Sequence, residues 1–308
     1  DVTIQLPLYN EQYVTERLIE TVCRIDYPKE HLEIQVLDDS TDETQAIARA
    51  CVDRYFEQGF DIQYIHRTDR VGYKAGALRE GLMNARGEFI AIFDADFIPP
   101  TDILHNILPG FSDERVGMIQ TRWAYLNREY SLLTQVQAIM LDGHFIMEHG
   151  ARSQSGRFFN FNGTAGMWRR KSIDDAGGWQ HDTLTEDLDL SYRAQLKGQR
   201  FIFLEDVESP SELPIEMNAF KSQQHRWSKG SIQTAKKLLP TVLRSALPFR
   251  VKLEAIFHLT NNMAYVLMIM LSILMFPSIV IRVQAGWISS FWIDLPFLMA
   301  ATISVSLF

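Results

Sequence analysis

The amino-acid sequence predicts a Rossmann-like α/β fold with a mixed, mainly parallel sheet, followed by transmembrane helices. Strand-like and helix-like segments alternate over residues 1–120, which is the pattern of strands joined by crossover helices. Residues 88–93 form a continuous apolar run, as expected for a strand buried on both faces of such a sheet. Residues 256–281 contain no Asp, Glu, Lys or Arg, and a run of that length can cross a bilayer.

Four short runs are predicted as strands of the sheet: residues 3–7, 33–37, 61–65 and 88–93. Helices are predicted between them: residues 12–24, 42–57 and 74–85. Ser40 and Glu43 have the spacing of a capping box for the second of these helices.

Composition limits the classes of function. The chain has 308 residues and a formal net charge of −8, so a nucleic-acid partner is not expected, because tracking phosphates requires a basic surface. Its two cysteines, Cys23 and Cys51, fall in predicted helices and match no zinc pattern. We therefore expect two buried thiols in a reducing compartment.

The middle of the chain contains a helical pattern over residues 131–150. Six apolar side chains recur there at roughly helical spacing: Leu132, Leu133, Val136, Ile139, Met140 and Phe145. Two readings stay open, a helix that faces the core and a helix that lies on a membrane surface.

The C-terminal region is predicted to be a membrane region, over residues 241–308. The polar start of the first apolar run places the beginning of the span near Met263. A buried core helix is the alternative. The run is preceded by basic residues, which predict that the domain over residues 1–240 is cytosolic: Lys236, Lys237, Arg244, Arg250 and Lys252. A second, partial span begins at Phe291, and we expect further segments beyond both ends of the sequence.

Two acidic groups directly follow predicted strands. Asp38 and Asp39 end the second strand, and Asp94 and Asp96 follow the fourth. Ligands of open α/β sheets bind at the carboxyl ends of the strands. Two carboxylates one residue apart make a sparse oxygen site for Mg²⁺ or Mn²⁺, with positions left for diphosphate oxygens. An Asp-x-Asp sequence alone is more often a pair of solvated turn carboxylates, but its position after a buried strand favours the metal site.

Two further segments carry candidate chemistry at helix starts. Lys74 lies between Gly72 and Gly76, where the helix N-terminus and the ammonium could face a phosphate, although a plain loop–helix junction fits equally well. Glu186 and Asp187 start a helix that runs to about residue 196. Acidic residues there are favoured by the helix dipole, and they could also supply a carboxylate that takes a proton from an acceptor hydroxyl.

The last candidate segment is at residues 223–227. Gln223, Arg226 and Trp227 share one face of a helix because they are three and four residues apart. A guanidinium binds diphosphate bidentately, and an indole can stack on a pyranose ring. An ordinary amphipathic helix is the alternative.

Taken together and in this order, these segments resemble glycosyltransferase family 2 in its processive branch. That branch includes cellulose synthase, and the chain looks most like the cellulose-synthase-like mannan and glucan synthases. The resemblance runs over most of residues 2–240 and depends on seven stretches: Pro7–Glu11, Gln35–Asp42, Gly72–Gly76, Phe93–Asp96, Phe161–Gly166, Thr185–Asp187 and Gln223–Trp227.

The resemblance implies a glycosyltransferase A fold and a role for each matched residue. Asp187 would be the general base, with Glu186 beside it, and Asp94 and Asp96 would hold Mg²⁺ or Mn²⁺. The donor would be bound by Tyr9, Glu11, Asp38, Asp39, Lys74, Asp94, Gln223 and Arg226. The acceptor would be bound by Trp227, Asn162, Gly163 and Thr164. Residues 1–120 would form the nucleotide-sugar half, and residues 121–240 the acceptor half with helices at the membrane interface.

The implied activity is inverting, processive transfer of a hexose from GDP-mannose or UDP-glucose to the non-reducing end of a β-linked, expected β-1,4, polysaccharide. Asn162 stands where many cellulose synthases have Cys, which favours a mannan-synthase-like product. The partners would be the nucleotide-sugar, the polysaccharide, a lipid bilayer and additional secretion or regulatory subunits. A bacterial inner membrane and a Golgi membrane fit equally well. Transfer of one sugar to a lipid is the alternative activity, and an inactive scaffold is a third reading that the intact acidic set disfavours.

Overall fold

A computed structural model describes residues 1–285, 291–292, 294–299 and 302–303 of the chain. A seven-stranded sheet forms its centre, with the strand order β3-β2-β1-β4-β6-β5-β7. The strands are β1 (Val2–Leu8), β2 (Leu32–Asp38), β3 (Asp61–His66), β4 (Phe89–Ile92), β5 (Val116–Tyr125), β6 (Gly166–Arg169) and β7 (Arg200–Ser211). The fold predicted from the sequence is confirmed.

The first four strands are parallel, and in β1, β2 and β4 nearly every residue is buried, polar and apolar alike. In β3, at the edge of the sheet, only Ile62 is buried. β6 runs antiparallel to β4 and β5, and β5 pairs with β7 in parallel. In the β4–β6 pair, Ile92 lies opposite Gly166, so the loop before β6 reaches the carboxyl end of β4. The sheet is therefore mixed, as predicted, and its one reversed strand brings a second loop to the ligand edge.

Helices cover both faces of the sheet and continue beyond it. They are α1 (Thr15–Cys23), α2 (Thr44–Glu57), α3 (Tyr73–Asn84), α4 (Ile103–Ile107), α5 (Leu132–Asp142), α6 (Gly150–Gln154), α7 (Arg170–Asp175), α8 (Glu186–Leu196), α9 (Met217–Arg244), α10 (Phe249–Thr260) and α11 (Met263–Ala285). Between α5 and α6 the helix widens into a π-helical segment, Gly143–His149. The three N-terminal helices lie where the sequence predicts them, and Cys23 and Cys51 are buried free thiols as expected.

The predicted capping box of α2 is wrong. The N-cap of α2 is Glu43, which makes no side-chain capping bond, and the backbone N–H of Thr44 donates to Asp42 Oδ1 at 3.0 Å instead. Ser40 is not available for capping because its Oγ accepts from the backbone N–H of Asn10 at 2.8 Å. The hydroxyl joins the loops after β1 and β2 rather than starting the helix.

The structure excludes a wholly core-facing helix over residues 131–150. Phe145 is buried, but Leu132, Val136, Ile139 and Met140 are exposed. Most of the apolar face that the sequence pattern predicts therefore has no protein packed against it within the described part of the chain.

The chain divides into two compact units, residues 1–260 and 261–308. The predicted domain boundary at residue 240 differs from this division, because α10 packs against α9 and belongs to the first unit. In the second unit, Met263–Gln284 is long and apolar enough to cross a membrane, by length and composition alone. This helix starts where the sequence places the start of the span. The second apolar run, predicted from Phe291, lies partly outside the described residues.

Candidate active site

Three parallel strands bring their following residues to one edge of the sheet. Glu11 follows β1, Asp39 follows β2 and Asp94 follows β4, and β1 lies between the other two. The carboxyl ends of these strands form the crevice in which open α/β sheets bind ligands. The sequence-predicted donor residues of the N-terminal half are thus brought together along this edge.

Asp94 and Asp96 form the negative centre of this edge. Burial, and then the charge of Asp94, raise the pKa of Asp96 to about 7. Burial and the charges of Asp94 and Asp42 also raise the pKa of Glu11. Like charges therefore crowd this edge, and a bound cation would relieve their repulsion.

Lys74, at the start of α3, bridges this carboxylate cluster and the loop before β6. Its Nζ lies 2.5 Å from Asp94 Oδ1 and 2.9 Å from the carbonyl oxygen of Gly163. Although burial opposes the charged form, the carboxylates of Asp94, Glu186 and Asp187 raise the pKa of Lys74. The ammonium therefore stays charged and joins the predicted donor and acceptor residues.

Asp38 and Asp39 are both buried and already have partners. Asp38 Oδ2 accepts from the Tyr64 hydroxyl at 2.6 Å, and its Oδ1 accepts from the backbone N–H of Ser40 at 2.9 Å. Asp39 accepts two hydrogen bonds from Arg67, at 2.8 Å and 2.5 Å. These contacts hold the ends of β2 and β3 together, and a direct contact of either carboxylate with a donor stays a prediction.

Asp187 lies in the first turn of α8, with its two carboxylate oxygens in different surroundings. Oδ1 accepts from the backbone N–H of Leu188 at 2.8 Å. Oδ2 faces Gly163, where a Cβ atom would come within 3.1 Å of it. Ser191 ties this turn to the loop before β6, because its hydroxyl donates to the Asp187 carbonyl at 2.6 Å and accepts from the Phe161 N–H at 2.9 Å.

The electrostatic surroundings of Asp187 suit a general base. Burial, and then the charge of Glu186, raise its pKa to about 7, so the carboxylate can accept a proton near neutral pH. Burial also raises the pKa of Glu186, against the opposing charge of Lys74. Two neighbouring carboxyls thus share one partly buried site, as the sequence pattern predicts.

The loop of residues 162–164 is fixed from several sides. The backbone N–H of Asn162 donates to Gln120 Oε1 at 2.9 Å. The Thr164 hydroxyl accepts from the backbone N–H of Asp94 at 2.8 Å. Gly163 has a φ of +81°, and its missing side chain leaves room for Asp187. Thr164 is itself buried, so its contact with an acceptor stays a prediction, and its observed role is to hold the Asp94 backbone.

Gln223, Arg226 and Trp227 lie on α9, which packs on the residue before Glu186. The backbone of Gly230 passes so close that a Cβ there would come within 2.5 Å of Thr185 Cγ2. Gln223, Trp227 and Gly230 follow each other at helical spacing, so they share one stripe of α9. Arg226 is exposed, whereas Gln223 and Trp227 are half-buried.

Sequence reasoning missed two arginines at this edge, Arg67 and Arg70. Besides Asp39, Arg67 holds the carbonyls of Val71 and Tyr73, both at 3.0 Å. The guanidinium of Arg70 lies 3.1 Å from the centroid of the Tyr9 ring. Neither arginine belongs to a recognisable motif. Their only sequence signal is their position between β3 and the Gly72–Gly76 segment.

Backbone strain marks the same loops. Among the residues that the structure describes, four that are not glycine have φ values in the left-handed region, three in loops and one at the first position of α3: Asn10, Arg70, Ala165 and Tyr73. Such conformations persist only where the surrounding contacts impose them, and they concentrate at functional sites. No sequence pattern used above predicts them.

No group of three or more His, Cys, Asp or Glu side chains within the described ranges is close enough to hold a metal ion on its own. The candidate metal residues are instead the sparse pair Asp94 and Asp96. Their oxygen ligands suit Mg²⁺ or Mn²⁺, and the burial of Asp96 beside the charge of Asp94, which raises the pKa of Asp96, fits a site that a divalent cation would neutralise.

Comparisons with known proteins agree with this geometry. Residues 1–230 match the family described as glycosyltransferase-like family 2. The chain is 42% identical over 249 residues to glucomannan 4-beta-mannosyltransferase 1 of Oryza sativa subsp. japonica, which covers 79% of this chain and 48% of that protein. It is 42% identical over 250 residues to glucomannan 4-beta-mannosyltransferase 2 of Arabidopsis thaliana, covering 79% and 47%. The chain thus spans about half the length of these relatives.

Solved structures share the fold. The mannosyltransferase PcManGT of Pyrobaculum calidifontis, solved in complex with GDP-Man and Mn²⁺, superposes with a TM-score of 0.70 at 22% identity, over 100% of this chain and 80% of that one. Residues 1–349 of S. aureus TarS with UDP-GlcNAc give a TM-score of 0.61 at 16% identity, over 85% and 72%. The match over residues 1–230 shows that the chain belongs to glycosyltransferase-like family 2.

Proposed function

We propose that this chain is the catalytic part of an inverting, processive mannosyltransferase that extends a β-1,4-linked mannan or glucomannan from GDP-mannose at a membrane. The observation that carries the proposal is one connected network. Lys74 joins Asp94, on the donor side, to Gly163, and Gly163 faces Asp187 Oδ2. These contacts support the proposal because they connect the residues proposed as base, acceptor loop and diphosphate site.

The reaction that this network supports is a single in-line displacement. Asp187 Oδ2 accepts the proton of an acceptor hydroxyl, expected to be O4, while that oxygen forms a bond to the anomeric carbon of the donor. The bond from the anomeric carbon to the diphosphate oxygen breaks, and its electrons leave with the nucleoside diphosphate. Attack from the opposite side inverts the anomeric configuration, so an α-linked donor yields a β-linked product.

The leaving diphosphate needs positive charge. Arg226 is exposed on α9, next to Trp227 of the stripe that packs beside the start of α8, and its forked guanidinium suits a diphosphate. Asp94 and Asp96 would hold Mg²⁺ or Mn²⁺, which supplies Lewis-acid stabilisation of the departing charge when bound. Lys74 bonds both to Asp94, a proposed metal ligand, and to the Gly163 carbonyl, so it holds Asp94 next to the acceptor loop.

The donor assignment is based on the relatives. Both are named glucomannan 4-beta-mannosyltransferases and are 42% identical to this chain. Asn162 stands where many cellulose synthases have Cys, and this difference also favours a mannan-synthase-like enzyme that uses GDP-mannose. UDP-glucose is the rival donor, and transfer of one sugar to a lipid is the rival reaction.

A membrane setting is supported by exposed apolar faces. Phe249, Leu253 and Phe257 lie four residues apart on α10 and are exposed on one side of it. Arg250 and Lys252 flank them, and the apolar helix α11 follows three residues after the end of α10. An amphipathic, basic helix directly before a membrane span is typical of a helix in the headgroup region, with its domain on the cytosolic side.

The test is donor-dependent polymer synthesis by the full-length protein in membrane vesicles. The vesicles receive labelled GDP-mannose or UDP-glucose with Mg²⁺ or Mn²⁺, and the product is sized and then digested with β-1,4-mannanase. We expect a long product from GDP-mannose that the mannanase degrades. A product from UDP-glucose alone would contradict the donor, a single-sugar glycolipid would contradict processivity, and an α-linked product would contradict inversion.

The matched control replaces a carboxylate outside the site. Asp26→Asn removes a charge that is almost fully exposed and belongs to no site element, so polymer synthesis should be unchanged. Asp187→Asn should abolish it. Equal activity of the two variants would show that the polymer does not depend on this site.

A further inference from the structure

The π-helical segment Gly143–His149 carries a pair of polar side chains that no step of the proposed function uses. A π-helical turn holds one more residue than an α-helical turn and is frequently found at functional sites. Here it carries His144 and Glu148 beside the acceptor loop, with His144 Nε2 3.0 Å from Asn162 Nδ2.

The hydrogen bonds of His144 determine which ring nitrogen carries the proton. Its Nδ1 lies 3.2 Å from Glu148 Oε2, and a carboxylate can only accept, so Nδ1 is the protonated nitrogen. The other ring nitrogen, Nε2, then accepts a hydrogen bond from the Nδ2–H of Asn162. In this arrangement Nε2 is the acceptor, so the amide of Asn162 keeps its Nδ2–H, and not its oxygen, toward the ring.

Glu148 is itself held as a carboxylate. The hydrogen bond and the Coulombic interaction with His144, and then the charge of Arg152, lower the pKa of Glu148 to about 2 against the effect of burial. Arg152 Nη1 lies 3.0 Å from Glu148 Oε2, and its Nε lies 2.9 Å from Glu254 Oε1 on α10. On its other side, the His144 ring packs against the buried His149, with the ring centroids 4.3 Å apart. His144 and Glu148 are therefore held in place by Arg152 and by the ring of His149.

The amide of Asn162 depends on this pair. Within the described residues its Nδ2 donates only to His144, and its buried Oδ1 has no hydrogen-bond partner. The next residue, Gly163, faces the Oδ2 of Asp187. The orientation of this amide, beside the predicted base, is thus set by one histidine.

We propose that His144 and Glu148 are positioning residues that fix the amide of Asn162 for binding of the acceptor's terminal sugar. This inference rests on the proposed function, since it concerns the acceptor of that reaction. Sugar hydroxyls both donate and accept, so a fixed amide selects one orientation of the terminal sugar relative to Asp187. A freely rotating amide would accept more than one.

A double-mutant cycle tests this inference in the full-length protein. The variants are His144→Ala, Asn162→Ala and the double variant, supplied with whichever of the two donors the wild type turns over. The readout is the ratio of labelled sugar in polymer to free sugar released by donor hydrolysis. His144→Ala should lower this ratio on the order of 10-fold, the effect of one lost hydrogen bond. In the Asn162→Ala background it should have no further effect.

Further variants separate positioning from general damage to the fold. His144→Gln can still accept from Asn162 and should restore part of the ratio. Glu148→Ala leaves the ring in place but frees its tautomer, so it should lower the ratio less than His144→Ala. His105→Ala, on α4 and half-exposed, is the control histidine and should behave like the wild type.

The outcomes distinguish this inference from the proposed function. Wild-type polymer with an unchanged ratio in both His144→Ala and Glu148→Ala would overturn the inference alone. Equal effects of His144→Ala with and without Asn162 would also overturn it, because the histidine would then act by another route. A wild type that makes polymer from neither donor would overturn the proposed function, and this inference with it.

Discussion

At the scale of single residues, the site is defined by where each oxygen of Asp187 points. One oxygen is held by the backbone N–H of Leu188, and the other faces Gly163 without a side chain between them. The start of a helix allows both contacts. Its unpaired backbone N–H groups can bind one carboxylate oxygen, and the other oxygen is left to face Gly163. The same position explains why an acidic first turn is ambiguous in sequence, since the dipole favours it with or without catalysis.

The first prediction concerns the activity of Asp187→Asn. The amide cannot accept the acceptor proton, so polymer synthesis should fall by about 10²–10⁴-fold. In the wild type, kcat/KM for the acceptor should decline as the pH falls through about 7, because protonation of Asp187 removes the base. Near-normal turnover of Asp187→Asn, or a rate that is flat between pH 6 and 8, would contradict the assignment.

The second prediction concerns stability at the same residue. The folded pKa of Asp187, about 7, lies above its ordinary value of 3.8, so the folded state binds the extra proton between these pH values. Stability therefore decreases as the pH rises through this window, and above it the buried charge destabilises the fold. Asp187→Asn should melt at a higher temperature than the wild type at pH 8 but at the same temperature at pH 4. A variant that melts lower at pH 8 would argue against the raised pKa.

At the scale of elements, the packing of α9 on the start of α8 joins the predicted diphosphate segment to the predicted base. Gly230 permits the close approach, and Lys237 adds an ion pair to Asp189 at 2.8 Å, one helical turn further into α8. Gln233 Oε1 also accepts from the backbone N–H of Leu184 at 2.9 Å. These contacts fix the position of α9 along α8. They therefore also fix where Arg226 and Trp227 lie relative to Asp187.

The third prediction is that Gly230→Ala separates these two helices. The new Cβ would lie 2.5 Å from Thr185 Cγ2 and 2.9 Å from the Thr185 backbone nitrogen, and backbone cannot yield as a flexible side chain can. We expect a loss of about 1–3 kcal/mol in the free energy of unfolding, typical of overpacking, together with reduced polymer synthesis. Gly150→Ala is the matched control, because its Cβ would meet nothing closer than Glu205 at 3.7 Å. Equal melting temperatures of the two variants would disprove the close contact.

The elements differ in how far their sequence predicts them. The N-terminal strands are predicted because short strand-like runs alternate with helical segments and residues 88–93 form a continuous apolar run, and the acidic residues after β2 and β4 stand out at the sheet edge. The 3.6-residue period over residues 131–150 predicts a helix, but it cannot show that the segment widens after Gly143 or that most of its apolar face is exposed. The pairing of Arg67 with Asp39 spans 28 residues and depends on the tertiary fold, so no local pattern contains it.

At the scale of the whole molecule, the sheet brings contributions from distant parts of the chain to one edge. The antiparallel strand β6 matters most, because its reversed direction delivers the loop of residues 162–164 to the end of β4. The residues predicted to bind the donor and those predicted to bind the acceptor therefore meet at one continuous sheet. The predicted division of the catalytic domain at residue 120 stays a prediction about function, because residues 1–260 pack as one compact unit.

The fourth prediction tests where the first unit meets the bilayer. Cys23 and Cys51 are buried, so a cysteine placed at Leu253 on α10 can be labelled with a polarity-sensitive fluorophore in full-length protein reconstituted in vesicles, once any accessible cysteine outside these 308 residues has been replaced by Ser. If α10 lies in the headgroup region, the label should shift to the blue and be quenched by bromine-labelled lipids, because the exposed apolar side of the helix is then out of water. A cysteine at Met83, which is also an exposed apolar residue but lies on α3, is the matched control and should show neither effect. Identical spectra at the two positions would place this face of α10 in water and leave α11 as the candidate membrane contact.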